Sequence, residues 1–223
     1  MNILALETSG DYCSVALWRD GAIEDREILA GQQQSGLLLD LVHEVLASCG
    51  LRLSEMNGIA FGAGPGSFTG LRVACGVAQG LALGADIPVT GIGTLQALAE
   101  SSGAQRVVCC VDARMREVYQ AAYERLGGEW RTVQMPGVYA PDLVPILAGA
   151  GWHACGNGFA AYREVLCARY GSAISDMNDS GHARARDVAN LAAPRFARGE
   201  GVSADLAAPD YVRDKVALKK DER

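Results

Sequence analysis

The 223 residues are 49% hydrophobic and 21% charged, which excludes a disordered chain and suffices for one large domain or two small ones with real cores. The formal charge of -6 gives the chain as a whole no attraction to a polyanion such as RNA, so a nucleic-acid role needs a partner.

Residues 2 to 6 are a short apolar run ending in the polar turn Glu7-Thr8-Ser9-Gly10-Asp11, and Cys13 to Trp18 resumes a strand pattern. Asp20-Gly21 is hairpin chemistry, so Ile23 to Leu29 is predicted as the third strand of a meander. Leu38, Leu41, Val42, Val45 and Leu46 then fall at helical spacing, with Gly50 as the stop. Gly58 to Phe61 reads as a strand running into Gly62-Ala63-Gly64-Pro65-Gly66, after which Ser67 or Thr69 can cap a helix that reaches Leu83. Residues 87 to 92 make another strand, Thr94 opens a helix to Glu100, and Ser101-Ser102-Gly103 is the candidate linker.

The second half restarts with Val107 to Val111, the turn Asp112-Ala113-Arg114-Met115-Arg116 and a strand from Val118 to Tyr123. It repeats the strand, acidic turn and strand of residues 3 to 18, which hints at a duplicated core. Helices are expected at Asp142 to Leu147, Phe159 to Tyr170 and Asp187 to Arg198, a strand at Trp152 to Cys155, and fraying of the charged end from Asp214. The pattern predicts an α/β chain of two similar subdomains, 1–102 and 103–223, whose terminal segment can return to the first. The cleft between them is the default ligand site.

The opening Met1-Asn2-Ile3-Leu4-Ala5-Leu6-Glu7 has no basic region and meets a carboxylate early, unlike a signal peptide, and no apolar run approaches the roughly 20 residues of a spanning helix. Seven cysteines without C-x-x-C spacing read as buried thiols in a reducing compartment, so no membrane association and a cytoplasmic location are expected. Arg184, Arg186, Arg195 and Arg198 read as a solvated helix face.

The segment 62 to 76, GAGPGSFTGLRVACG, is the most specific feature. Gly62, Gly64 and Gly66 supply residues tolerant of positive φ, and such a turn at a helix N-terminus can either cradle a phosphate or serve as structure. It is not a P-loop, since no Gly-Lys-Ser/Thr follows and no lysine precedes Lys215. Gly70, Ala74, Gly76, Ala78, Gly80 and Ala82 pave the helix although an interior glycine costs roughly 1 kcal/mol against alanine. Those small residues suit either burial within one subunit or close approach of a helix from another molecule. Glu7-Thr8-Ser9-Gly10 and Gly156-Asn157-Gly158 can face a nucleotide or simply turn the chain. His43, His153 and His182 show no metallohydrolase spacing, and Gly66-Ser67-Phe68-Thr69-Gly70 matches G-x-S-x-G, with Ser67 as nucleophile or as helix cap.

Ile3-Leu4-Ala5-Leu6-Glu7-Thr8-Ser9, Cys13-Ser14-Val15-Ala16-Leu17 and GPGSFTGLRVACG resemble the TsaB (YeaZ) family. Ile87-Pro88-Val89, Gly93-Thr94-Leu95, Asp112-Ala113-Arg114-Met115, Glu117-Val118-Tyr119, Gly156-Asn157-Gly158 and Pro209-x-Tyr211-Val212-Arg213 extend the resemblance in order across nearly the whole chain. It implies a two-lobed actin-like ATPase (ASKHA, ribonuclease H-like) fold with mixed sheets flanked by helices. It also implies a non-catalytic subunit for N6-threonylcarbamoyladenosine formation at position 37 of tRNAs reading codons that begin with A. The implied partners are the TsaD transferase and the TsaE ATPase, with tRNA met only within the complex and a homodimer formed by the chain alone. TsaD carries metal-binding histidines after the strand where this chain reads Val89-Thr90-Gly91-Ile92-Gly93-Thr94, so neither a metal site nor a catalytic residue is expected here.

By the same resemblance the helices at 36 to 48 and 68 to 83 form the docking bundle, through Leu38, Leu41, Val42, Val45, Leu71, Ala74, Cys75, Gly76, Ala78 and Gly80. A nucleotide cleft would use Glu7, Thr8, Ser9, Gly10, Asp112, Gly156, Asn157 and Gly158, with weak ATP or ADP binding and no required cofactor. Two departures stand out: Glu7 where members often carry Asp, and Gln33-Gln34-Ser35 where many carry His-Ser or His-Thr. A small-molecule kinase of the same superfamily and a Ser67 hydrolase are the alternative readings.

Overall fold

A computed structural model describes residues 1–31 and 33–213; the end expected to fray, from Asp214, lies outside them. The first half folds as β1 (Asn2–Glu7), β2 (Tyr12–Arg19), β3 (Ala22–Leu29), α1 (Gln34–Ser48), β4 (Gly58–Gly64), α2 (Phe68–Ala85), β5 (Val89–Gly93) and α3 (Thr94–Ser101). The second comprises β6 (Arg106–Asp112), β7 (Val118–Leu126), β8 (Glu129–Tyr139), β9 (Trp152–Cys155), α4 (Gly158–Ala161), α5 (Arg163–Tyr170), β10 (Ile174–Asn178) and α6 (Ala185–Ala197).

One sheet runs β3-β2-β1-β4-β5 and the other β8-β7-β6-β9-β10, so the two halves share one strand order. In each, the first three strands are an antiparallel meander and the last two join in parallel. The duplication hinted at by two acidic turns therefore extends through both sheets, giving the mixed α/β architecture expected.

Local chemistry sets the elements. Asp20 and Gly21 both take positive φ, 49° and 93°, as a tight hairpin twisted like its strands requires. After α1, Gly50 at φ 64° lets its N–H reach Ala47 O and that of Leu51 reach Leu46 O, which satisfies carbonyls the helix leaves open. β1 is apolar on both faces because both are covered: Leu4 and Leu6 pack with Leu38, Val45, Ala74 and Ala78, whereas Ile3 and Ala5 pack with Val188, Ala189 and Ala192 of α6. α6 thus lies on the first sheet although it follows the second in sequence. α3 joins the halves, with Leu95 and Leu98 packed against Val107, Cys109 and Tyr123.

Five features differ from expectation. β8 was not foreseen because Pro136 and Gly137 interrupt its pattern, a sequence that an edge strand tolerates. β10, also at an edge, is too short and polar to read as a strand. Residues 142 to 147 are irregular rather than helical, as Pro145 would remove a helical hydrogen bond, and the helix expected over 159 to 170 breaks at Tyr162. Finally, α2 is long and apolar enough by length and composition to cross a membrane, but Leu71, Ala74, Cys75, Ala78 and Ala82 seat one face in the core.

Candidate functional site

The parallel strands β1, β4, β6 and β9 deliver their C-terminal ends to one cleft between the lobes, the place where such sheets hold ligands. On the first lobe, the turns after β1 and β4 are stitched together: Ser67 N–H donates to Ser9 O at 2.7 Å, and Thr8 Oγ1 donates to Gly70 O at 2.7 Å. A Cβ on Gly66 would lie 2.7 Å from Ser9 Cβ, and one on Gly70 would lie 1.9 Å from Thr8 O. Of the three glycines assigned to positive φ only Gly64 takes it, at 128°. Gly62 and Gly66 are needed instead for close approach, which periodicity and turn propensity do not reveal. Gln34, one of the departures, is buried and donates its amide to Gly10 O, so it braces this turn from α1.

On the second lobe, Asp112 N–H donates to Asn157 Oδ1 at 2.9 Å. Cβ atoms on Gly156 and Gly158 would lie 2.3 Å from Cys110 O and 2.8 Å from Cys110 C, so these two glycines serve packing of the turn on β6.

The cleft measures about 530 Å³ and is lined by Ser9, Gly10, Asp112 and Asn157 among the residues expected there, but not by Glu7, Thr8, Gly156 or Gly158. Glu7 is 2% exposed and lies folded over Gly62; burial pushes its carboxyl above the usual range, opposed by the Ser9 N–H donated to Oε1 at 2.5 Å. Its longer side chain therefore runs into the protein rather than into the cleft. The ionisable wall comprises Asp11, Asp112, Asp210, Arg114 and Arg213. Both guanidiniums already have carboxylate partners, Arg114 with Asp112 at 3.2 Å and Arg213 with Glu117 at 2.5 Å. The stretch from Asp210 to Arg213 was not assigned to the cleft, although Pro209-x-Tyr211-Val212-Arg213 was visible as a motif.

Ser67 accepts from Gly70 N–H at 3.3 Å as the N-cap of α2, and no histidine lines this cleft. His153 faces Asp176 at 3.3 Å, and His182 faces Glu27 at 3.1 Å while stacking on Tyr12. Among the described residues no group of three or more His, Cys, Asp or Glu side chains converges as a metal site would require. Burial raises the thiols of Cys110 and Cys155 to about 12, which keeps them protonated, as expected of packing cysteines. Three of the four C-terminal arginines are engaged piecemeal: Arg195 donates to Gly91 O, Arg198 pairs with Glu200, and Arg186 lies 3.8 Å from Asp25, whereas the Nε of Arg184 is buried without a partner among the described residues.

The expected docking residues need correction. Leu38, Leu41, Val42, Val45, Leu71, Ala74, Cys75 and Ala78 are buried within the protomer, because the inner faces of α1 and α2 are what cover the first sheet. Only Gly76 and Gly80 of that set face outward. Around them the outer face of α2 presents Arg72, Leu83 and Gly84, with Val73 and Val77 half-buried. A Cβ at Gly76, Gly80 or Gly84 would meet nothing within 4 Å. These three form a shallow groove at i, i+4 and i+8.

Residues 28–220 match the family model described as TsaD, tRNA N6-adenosine threonylcarbamoyltransferase. The tRNA threonylcarbamoyladenosine biosynthesis protein TsaB of Escherichia coli (strain K12) is 38% identical, covering 99% of this chain and 98% of its own. Its counterpart from Haemophilus influenzae is 36% identical over 99% and 97%. YeaZ from Pseudomonas aeruginosa superposes with a TM-score of 0.87 at 38% identity, over 94% of this chain and 99% of that one.

Proposed function

The chain belongs to the TsaB (YeaZ) family, and from that premise we propose that it is a non-catalytic subunit required for N6-threonylcarbamoyladenosine formation at position 37 of tRNAs reading codons that begin with A. A role in that tRNA modification follows from the relatives' names; the finer reading is that this chain binds and organises the TsaD transferase, with the TsaE ATPase joining the pair.

The observation that carries this reading is the open glycine column on α2. Three glycines inside one helix cost roughly 1 kcal/mol each against alanine, and among the described residues nothing lies within 4 Å of where their Cβ atoms would stand. They let a partner helix approach the α2 backbone closely, while Val73, Val77 and Leu83 supply apolar contact at the groove's sides. Arg72 is the lone charged side chain of α2, so a partner helix with little charge of its own meets little desolvation cost on this face. In the absence of TsaD a second copy of this chain covers the same face.

The chain's own chemistry supports a silent role. The net charge of -6 and a cleft wall with three carboxylates and two paired guanidiniums disfavour polyphosphate, so ATP or ADP binds weakly and is not required. tRNA is met only within the complex, in the cytoplasm. Ser67 is engaged as a helix cap, and the kinase and hydrolase readings gain no support from the cleft. The test is reconstitution with TsaD, TsaE and unmodified tRNA, with the modified nucleoside read by mass spectrometry. Omitting this chain should abolish product, and modification by this chain alone would overturn the reading.

A further inference from the structure

We propose that residues 209–213 form a strap that crosses the mouth of the inter-lobe cleft and holds the two lobes together. The segment leaves the first lobe and ends on the second, with a defined anchor on each. On the first, Asp210 N–H donates to Ala63 O at 2.7 Å, and Asp210 O lies 2.4 Å from where a Cβ on Gly64 would stand. Only a glycine at position 64 lets the strap lie this close to β4. Tyr211 then accepts from Arg72 Nε at 2.8 Å and leans on Phe68 with ring centroids 5.7 Å apart, while Arg72 lies 3.7 Å above the Phe68 ring.

On the second lobe Arg213 is the anchor. Its side chain is 13% exposed, its Nη2 donates to Glu117 Oε2 at 2.5 Å, its Nη1 reaches Met115 Sδ at 3.5 Å, and its guanidinium lies 5.7 Å from the Tyr119 ring centroid. A guanidinium that is desolvated, paired and set against an aromatic ring makes a stronger anchor than a surface ion pair. Between the anchors, Asp210 to Arg213 line the cleft itself, so the strap borders the space that it bridges.

The receiving turn is itself under strain. Arg114, Met115 and Arg116 take φ of 59°, 54° and 61°, three consecutive non-glycine residues in the left-handed region, which side chains of L-residues disfavour. The turn is held by Ala113 N–H to Glu117 O, by Arg114 N–H to Asp112 Oδ1 and by the strap's own contacts to Met115 and Glu117. Release of Arg213 removes two of the contacts that hold a strained turn, which makes the turn and strap a coupled two-position element. Two further connections join the lobes, α3 and the chain at 179–184 that runs from β10 back to α6 with His182 against Glu27 and Tyr12, and together they serve as the hinge.

The test measures the distance between the lobes in the full chain. Spin labels are placed at Thr69→Cys and Glu164→Cys, both exposed, in a background where the half-buried Cys49 and Cys167 are serine. With the strap intact one narrow distance distribution is expected. Arg213→Ala, Glu117→Ala and a chain ending at Ala208 should each shift it to longer and broader distances, whereas Asp205→Ala, on the exposed stretch before the strap, should not. If the shortened chain fails to fold, the two point variants decide. Unchanged distributions in Arg213→Ala and Glu117→Ala would overturn the strap.

Discussion

The carboxyl of Glu7 occupies the space that a side chain at position 62 would need: a Cβ on Gly62 would lie 1.8 Å from Glu7 Oε2. The two residues sit side by side where β1 and β4 pair in parallel, and both are buried. Gly62→Ala should therefore cost about 2 kcal/mol or more in urea unfolding. The double variant Gly62→Ala with Glu7→Asp, which retracts the carboxyl, should recover part of that loss, and strict additivity of the two changes would count against the steric explanation.

Stability should fall as pH rises from the ordinary carboxylate range to about 7. Burial lifts the Asp187 carboxyl to about 7, with Glu100 and Asp25 pushing the same way and Arg184 and Arg186 opposing. The folded chain thus holds a proton that the unfolded chain releases near the ordinary value, so unfolding becomes easier from the unfolded-state value up to about pH 7 and no further. Asp187→Asn should leave stability unchanged in acid and raise it above neutrality by up to about 4 kcal/mol. Glu7, shifted in the same direction by burial, leaves a residual slope in that variant. Denaturant titrations across the pH range read both.

Ser67→Ala removes the hydroxyl that accepts from Gly70 N–H. It should cost about 1 kcal/mol of stability, as loss of a helix cap does, and leave tRNA modification by the reconstituted system intact. Loss of product with stability unchanged would revive the nucleophile reading.

Calorimetric titration of the isolated chain with ATP should give weak binding. Asp11→Asn with Asp112→Asn takes two carboxylates off the cleft wall and should tighten it several-fold, more at low salt than at high. No change on removing both charges would mean that nucleotide, if bound at all, binds elsewhere.

Much of the fold was legible because its signals are local and redundant. The meander announced itself through alternation around Asp20-Gly21, and the strand, turn and helix from Gly58 onward through a glycine run followed by Ser67. The edge strands β8 and β10 were not legible, since an edge strand is free to carry Pro136 or a mainly polar sequence. The site was legible only as turns. Which of their residues face the cleft depends on packing between elements far apart in sequence: Glu7 turns inward because Gly62 makes room, and Arg213 reaches the cleft because α6 returns the chain to the first lobe. The helices proposed to dock a partner show the same limit, since apolar spacing marks the face toward the protein's own sheet, while the outward face of α2 is marked by Gly76, Gly80 and Gly84.

Light scattering of this chain mixed with its TsaD counterpart, for the unaltered sequence and for Gly80→Arg, tests the docking claim most directly. A Cβ at position 80 meets nothing within 4 Å among the described residues, position 80 is exposed, and the change relieves an interior helical glycine, so the variant should fold with stability equal to or roughly 1 kcal/mol above the parent. The account predicts that this well-folded variant elutes apart from TsaD while the unaltered chain elutes with it. Co-elution of Gly80→Arg with TsaD at undiminished affinity would contradict it.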